Sequence, residues 1–178
     1  ISLLVHGYKR LTSSAWFDNQ VQKIVSTSAA IAAATFSLES HRIWGHSGGS
    51  PGDLDVPIQK PAYFDSRAFV LPEAEVNNYF VWRQQDATRN SIQTVARTLY
   101  SHRECNDKTC SQMQEMLHDR GVNWNDLPVW QRRGRCIVRG KDDTIELGRR
   151  RWYVDNEIPV FSCDPTYVNK LLLTEDER

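Results

Sequence analysis

Lys60 to Asn90 reads KPAYFDSRAFVLPEAEVNNYFVWRQQDATRN, and two different periods meet inside it. From Tyr63 to Leu71 the residues are aromatic and apolar in alternation, which predicts a strand with Tyr63, Asp65, Arg67 and Phe69 on one face. Pro72 ends it. Glu73 and Glu75 then put negative charge where the macrodipole of a new helix favours it, and nothing breaks the helical pattern until about Ser101. At about 100° per residue, Val76, Tyr79, Phe80, Arg83, Ala87 and Asn90 share an arc of roughly 100°, so Arg83 and Asn90 interrupt the expected packing face and Asp86 flanks it. A buried charge is costly unless it is paired or meets a ligand. Two readings follow: an Arg83–Asp86 pair tying the helix to a sheet, or a polar pocket for a phosphate or nucleotide.

Working outward, the chain of 178 residues is long enough for one domain with a core, or a core with a small appendage. Lys and Arg balance Asp and Glu at 22 each, so whole-chain charge selects no partner. Its distribution does: between Trp130 and Arg151 eight Arg and Lys stand against three Asp and Glu, a local excess of five positive charges. Cys105, Cys110, Cys136 and Cys163 form no C-x-x-C pair, and neither a signal peptide nor an apolar run of spanning length precedes them, which predicts reduced thiols in a cytoplasmic protein with no membrane contact. His102, Cys105, Cys110 and His118 could be drawn as a zinc site, but their spacing fits no standard pattern and they read as surface loop residues.

Ile1 to Val5 is an apolar run with no cap before it, expected to be a strand cut from something longer. Ser13 or Ser14 can cap a helix with Asp18 in its first turn, running to about Phe36, and the small residues from Ser26 to Ala34 would let it lie close against a sheet as core. Leu38 to Gln59 is Gly- and Pro-rich and reads as a loop with no phosphate-binding template. A short helix from Cys110 to Arg120 stops at Gly121. A β-hairpin is expected with Cys136 to Arg139 and Thr144 to Leu147 around a Gly140–Asp143 turn, and Asp164-Pro165 opens a last helix. The fold class is therefore α+β.

Two long strings, KPAYFDSRAFVLP followed by YFVWRQQDATRNSI, resemble the signature region of the tRNA-His guanylyltransferase family, including its bacterial and archaeal 3′–5′ polymerase-like members. NWNDLPVWQRRG is a third place of close resemblance. The resemblance implies a polymerase-palm-like antiparallel sheet with helices packed on it, residues 1–100 forming the C-terminal part of that catalytic domain and residues 101–178 a helix and hairpin region contacting RNA. It implies an enzyme that activates a tRNA 5′ end with ATP or GTP and then adds a nucleotide in the 3′–5′ direction, in a cytoplasmic homotetramer. Two Mg²⁺ ions would serve that chemistry. Their carboxylates belong to a Gly-Asp-Gly-Arg-type strand and a Ser-Asp-Glu-type segment. Neither is in these 178 residues, so the catalytic centre is expected upstream of Ile1 and no catalytic or metal residue is assigned here.

The matched positions assign Arg83, Asp86, Arg89 and Asn90 to nucleotide binding. They assign Asn123, Asn125, Arg132 and Arg133 to phosphate or tRNA, with the run Arg149, Arg150 and Arg151 beside them. One departure is informative: members that add guanosine to tRNA-His carry His-Ile-Asn-Asn where this chain has Thr88-Arg89-Asn90-Ser91, which points to the template-dependent repair branch. A non-catalytic RNA-binding module remains the alternative, with the basic hairpin on phosphates and Trp124 or Trp130 stacked on bases.

Overall fold

A computed structural model describes residues 1–6, 13–45, 61–141 and 150–172, with residues 44, 45, 140, 141, 150 and 151 described in their backbone only. The chain divides into two units, Ile1–Val70 and Leu71–Arg178. It is α+β, as its sequence predicts.

In the first unit the helix α1, Val21–Gly45, starts later and runs further than its pattern suggests. Phe17, Asp18 and Asn19 take φ of 50°, 50° and 58°, a left-handed run that no α-helix propagates, so the turn Trp16–Asn19 stands apart and α1 begins beyond it. The residues from Leu38 to Gly45, expected to be loop, are helical; residues 46–60 lie outside the described residues. Val21–Ile43 is also long and apolar enough to cross a membrane by length and composition, which the sequence reading did not anticipate. None of that stretch is buried, and α1 meets an extended segment at two points. The hydroxyls of Ser28 and Ser66 are 2.7 Å apart and Phe36 meets Phe64 edge-on at 5.8 Å.

Along residues 61–68 exposure alternates, with Ala62, Phe64, Ser66 and Ala68 half-buried and Tyr63, Asp65 and Arg67 exposed. Arg67 Nε donates to Asp65 Oδ2 at 3.0 Å on the exposed side. The predicted alternation is therefore present. The predicted strands are not: neither residues 1–5 nor 63–71 belong to a ladder among the described residues. Alternation needs only an extended backbone with one face covered, whereas a strand also needs a hydrogen-bonded neighbour. No described residue of α1 is fully buried, and Val21, Ile31, Phe36, Leu38 and Ile43 are exposed, so α1 does not take the core role its small residues suggest.

The second unit is built on α2, Glu73–Leu99, with Glu73 and Glu75 in its first turn as expected. Four further helices follow: α3, His102–Cys105; α4, Cys110–Asp119; α5, Val129–Arg133; and α6, Thr166–Leu172. α3 and α4 each open on a capping box, Ser101 with Glu104 and Thr109 with Gln112, which satisfies first-turn N–H groups. α4 ends where Gly121 adopts φ 73°, letting Val122 N donate back to Leu117 O at 3.0 Å. Ile92 and Ala96 of α2 pack with Cys105, Met113, Leu117 and Trp124 in the main core cluster. Cys105 is thus a core residue and not a loop ligand, while His102 and His118 are exposed.

The strand β1, Cys136–Lys141, pairs antiparallel with β2, Arg150–Asp155, in a register that sets Cys136 against Asp155, Arg139 against Trp152 and Lys141 against Arg150. The hairpin is longer than expected. Gly140 and Lys141 are strand residues, and the partner of β1 is Arg150–Asp155 in place of Thr144–Leu147, which lies outside the described residues.

Candidate nucleotide and RNA interface

The buried residues of α2 are Val76, Gln84, Ile92 and Ala96; of these only Val76 belongs to the arc that carries Arg83 and Asn90. At about 100° per residue these four positions walk roughly 200° around the axis, because a long helix meets different neighbours along its length. Asn90 is exposed and Arg83 and Asp86 are about one-third exposed. Tyr79, Arg83, Asp86 and Asn90 therefore form a half-open polar stripe spanning roughly 60° of arc.

Within the stripe, Arg83 Nη1 stands 3.5 Å from Asp86 Oδ2, and Asn90 Nδ2 donates to the same oxygen at 3.3 Å. One carboxylate thus orients both groups singled out by their spacing. The Arg83 guanidinium also lies 5.3 Å from the ring of Trp82, which is 57% exposed and packs against Tyr79 at 5.9 Å. A guanidinium held between an aromatic face and a carboxylate keeps its planar fork in one orientation, the requirement for bidentate binding of phosphate oxygens. Arg89 is exposed on the Trp82 side of the helix, off the stripe. Trp82 was not singled out by sequence; the signal was the aromatic immediately before Arg83 in the WRQQD string.

A second group adjoins α2 further along. Trp124 Nε1 donates to Ser91 Oγ at 3.0 Å, and Ser91 Oγ donates to Gln131 O at 2.6 Å, fixing α5 to α2 through a residue the sequence reading passed over. Arg132 lies over the Trp124 ring at 5.9 Å with its Nε buried and unpartnered. Arg133 Nε donates to Ile158 O at 3.0 Å, so part of that side chain is engaged in holding the following segment. Asn123 is engaged locally: Oδ1 accepts from Asn125 N at 3.1 Å and Nδ2 donates to Asp126 Oδ1 at 3.0 Å. Trp124 is only 9% exposed and cannot stack on a base, whereas Trp130 is on the surface beneath Arg135. Arg149 lies outside the described residues, and Arg150 and Arg151 occupy successive β2 positions on opposite sides of the ribbon.

Among the described residues no group of three or more His, Cys, Asp or Glu side chains is placed to hold a metal ion. These residues therefore do not fit a two-Mg²⁺ centre, and no metal-dependent step is derived from them.

Two solved structures share this fold along 94% of the chain at 40% identity, and the chain belongs to the tRNA-His guanylyltransferase family. Both are of a bacterial tRNA(His) guanylyltransferase (Thg1)-like protein, one in complex with ATP at a TM-score of 0.75 and one in complex with GTP at 0.70. The chain spans 64% and 62% of those two chains. No protein-family model matches the chain, and no curated protein sequence matches it closely.

Proposed function

We propose that the chain is part of a nucleotidyltransferase that activates the 5′ end of a tRNA with a nucleoside triphosphate and then adds nucleotides to it in the 3′–5′ direction. The observation that carries this reading is the α2 stripe, in which Arg83 is braced by Trp82 and Asp86 within a chain 40% identical to a protein seen with ATP and with GTP. Both steps are phosphoryl transfers, in which negative charge gathers on phosphate oxygens, so a pre-oriented planar cation stabilises the transition state more than the ground state.

In this reading Arg83, Asp86, Arg89 and Asn90 serve the nucleotide. Arg132 and Arg133, the Asn123–Asn125 turn and the Arg149–Arg151 run serve tRNA phosphates. Residues 1–100 belong to the palm-like catalytic part, two Mg²⁺ ions are held by carboxylates outside this chain, and the protein works in the cytoplasm as a homotetramer. The test is transfer of labelled GTP to a 5′-truncated tRNA by the full-length protein. Label at the 5′ end supports the reading; label at the 3′ end, or tRNA binding without transfer, removes it and leaves an RNA-binding module.

A further inference from the structure

The ribbon β1–β2 has two unlike faces. Cross-strand partners share a face, so Cys136 with Asp155 and Val138 with Tyr153 lie on one side, and Ile137 with Val154 and Arg139 with Trp152 on the other. The first side is anchored: Val138 is buried, Cys136 is half-buried, and Tyr167 of α6 donates its hydroxyl to Asp155 Oδ2 at 2.7 Å. Burial pushes the Cys136 thiol up from its usual range, and burial with the Asp155 hydrogen bond does the same to Tyr167, so Cys136 and Tyr167 are uncharged where this side meets α6.

The second side is open. Trp152 is 68% exposed, Ile137 66% and Val154 46%, and Arg139 is exposed. The register continues to Lys141 opposite Arg150, two more cationic residues at positions of the same alternation, and no acidic residue occupies this side among the described positions.

We infer that this open side of the ribbon is an RNA-docking surface, in which Trp152 stacks on an unpaired base and Arg139 meets an adjacent phosphate. The inference rests on the RNA-binding reading above and adds residues to it, since the structure withdraws Trp124 as a stacking group. Three arguments select RNA. A tryptophan this exposed costs hydrophobic free energy that a flat aromatic ligand would recover. Directly opposed residues on one ribbon face sit about 5 Å apart, close enough for a base and a phosphate of neighbouring nucleotides to be met together. The cations carry no acidic counterpart on that face, which suits a polyanion.

The test is titration of the whole chain with a fluorescently labelled, 5′-truncated tRNA over a series of salt concentrations. Trp152→Ala is expected to weaken binding about 5- to 100-fold with the salt dependence unchanged, and Trp152→Phe to retain most of the affinity. Arg139→Gln should instead lower the slope of log K against log salt by about one. Wild-type affinity in both Trp152→Ala and Arg139→Gln overturns the inference while leaving RNA binding to the α5 arginines. No tRNA binding by the wild-type chain, with GTP still bound, removes the RNA-binding reading and this surface with it. Self-association lost in Trp152→Ala while tRNA binding is retained also overturns it, by assigning the face to a contact between copies.

Discussion

Arg83 is the residue at which a structural role and a binding role make different forecasts. Its pairing with Asp86 is one-third exposed, so the pair contributes on the order of 0–1 kcal/mol and can be lost without unfolding the chain. Arg83→Lys keeps the charge and removes the planar fork. Nucleotide addition by the full-length protein should then fall about 100-fold, while the melting temperature moves by less than about 4 °C. Normal turnover with a lowered melting temperature would make Arg83 a structural cation. The grouping of Arg83, Asp86 and Asn90 was legible in the sequence, because spacings of three, four and seven residues return to one side of a helix whatever surrounds it. That this side is half-open was not legible. Gln84, a polar residue that periodicity leaves off the core, is buried because its partners lie far away in the chain.

At the scale of elements, the ends of helices were readable wherever the signal is local. Glu73 and Glu75 open α2, Gly121 closes α4, and Asp164 Oδ1 accepts from Thr166 N at 3.1 Å beside α6. What could not be read was mostly non-local, the partner of β1 and the absence of a ladder at residues 63–71, while the left-handed run that delays α1 is local but carries no residue type that announces it. The caps also set a pH response. Hydrogen bonds from Ser101 hold the Glu104 carboxyl below its ordinary value, and those from Thr166 do the same for Asp164. Because the unfolded chain protonates these groups first as pH falls, their stabilisation is complete above the ordinary carboxylate range and disappears as pH drops through the lowered folded values. Urea midpoints measured from pH 6 downwards should therefore decline less steeply in Glu104→Gln than in the wild type; equal slopes would detach the cap from the acid response.

Across the whole molecule, positive and negative charges cancel, so any pull on a polyanion must come from where the cations sit, and the segment from Trp130 to Arg151 concentrates them. The same stretch is bracketed by a bond of long span. Gln84 Nε2 donates to Pro159 O at 2.9 Å, and Phe161 N donates to Gln84 Oε1 at 2.9 Å, across 75 and 77 residues of sequence. Considered as a folding event, that clamp closes one of the widest loops in the unit. It is expected to come late, after the nearer contacts of α2 with α3 and α4, since the entropy of closing a long loop is lost before the contact gives anything back. A ribosome must release residue 159 before Gln84 meets the first of these two partners, and residue 161 before it meets both. Gln84→Leu should accordingly leave the refolding rate nearly unchanged and accelerate unfolding about tenfold, lowering the refolded population through the unfolding limb of the chevron alone. A slowed refolding limb would instead place the clamp in the folding nucleus. On the expected outcome, the lifetime of the native second unit, more than the speed at which it is reached, is set by one glutamine amide that reads the tail as a neighbouring peptide would.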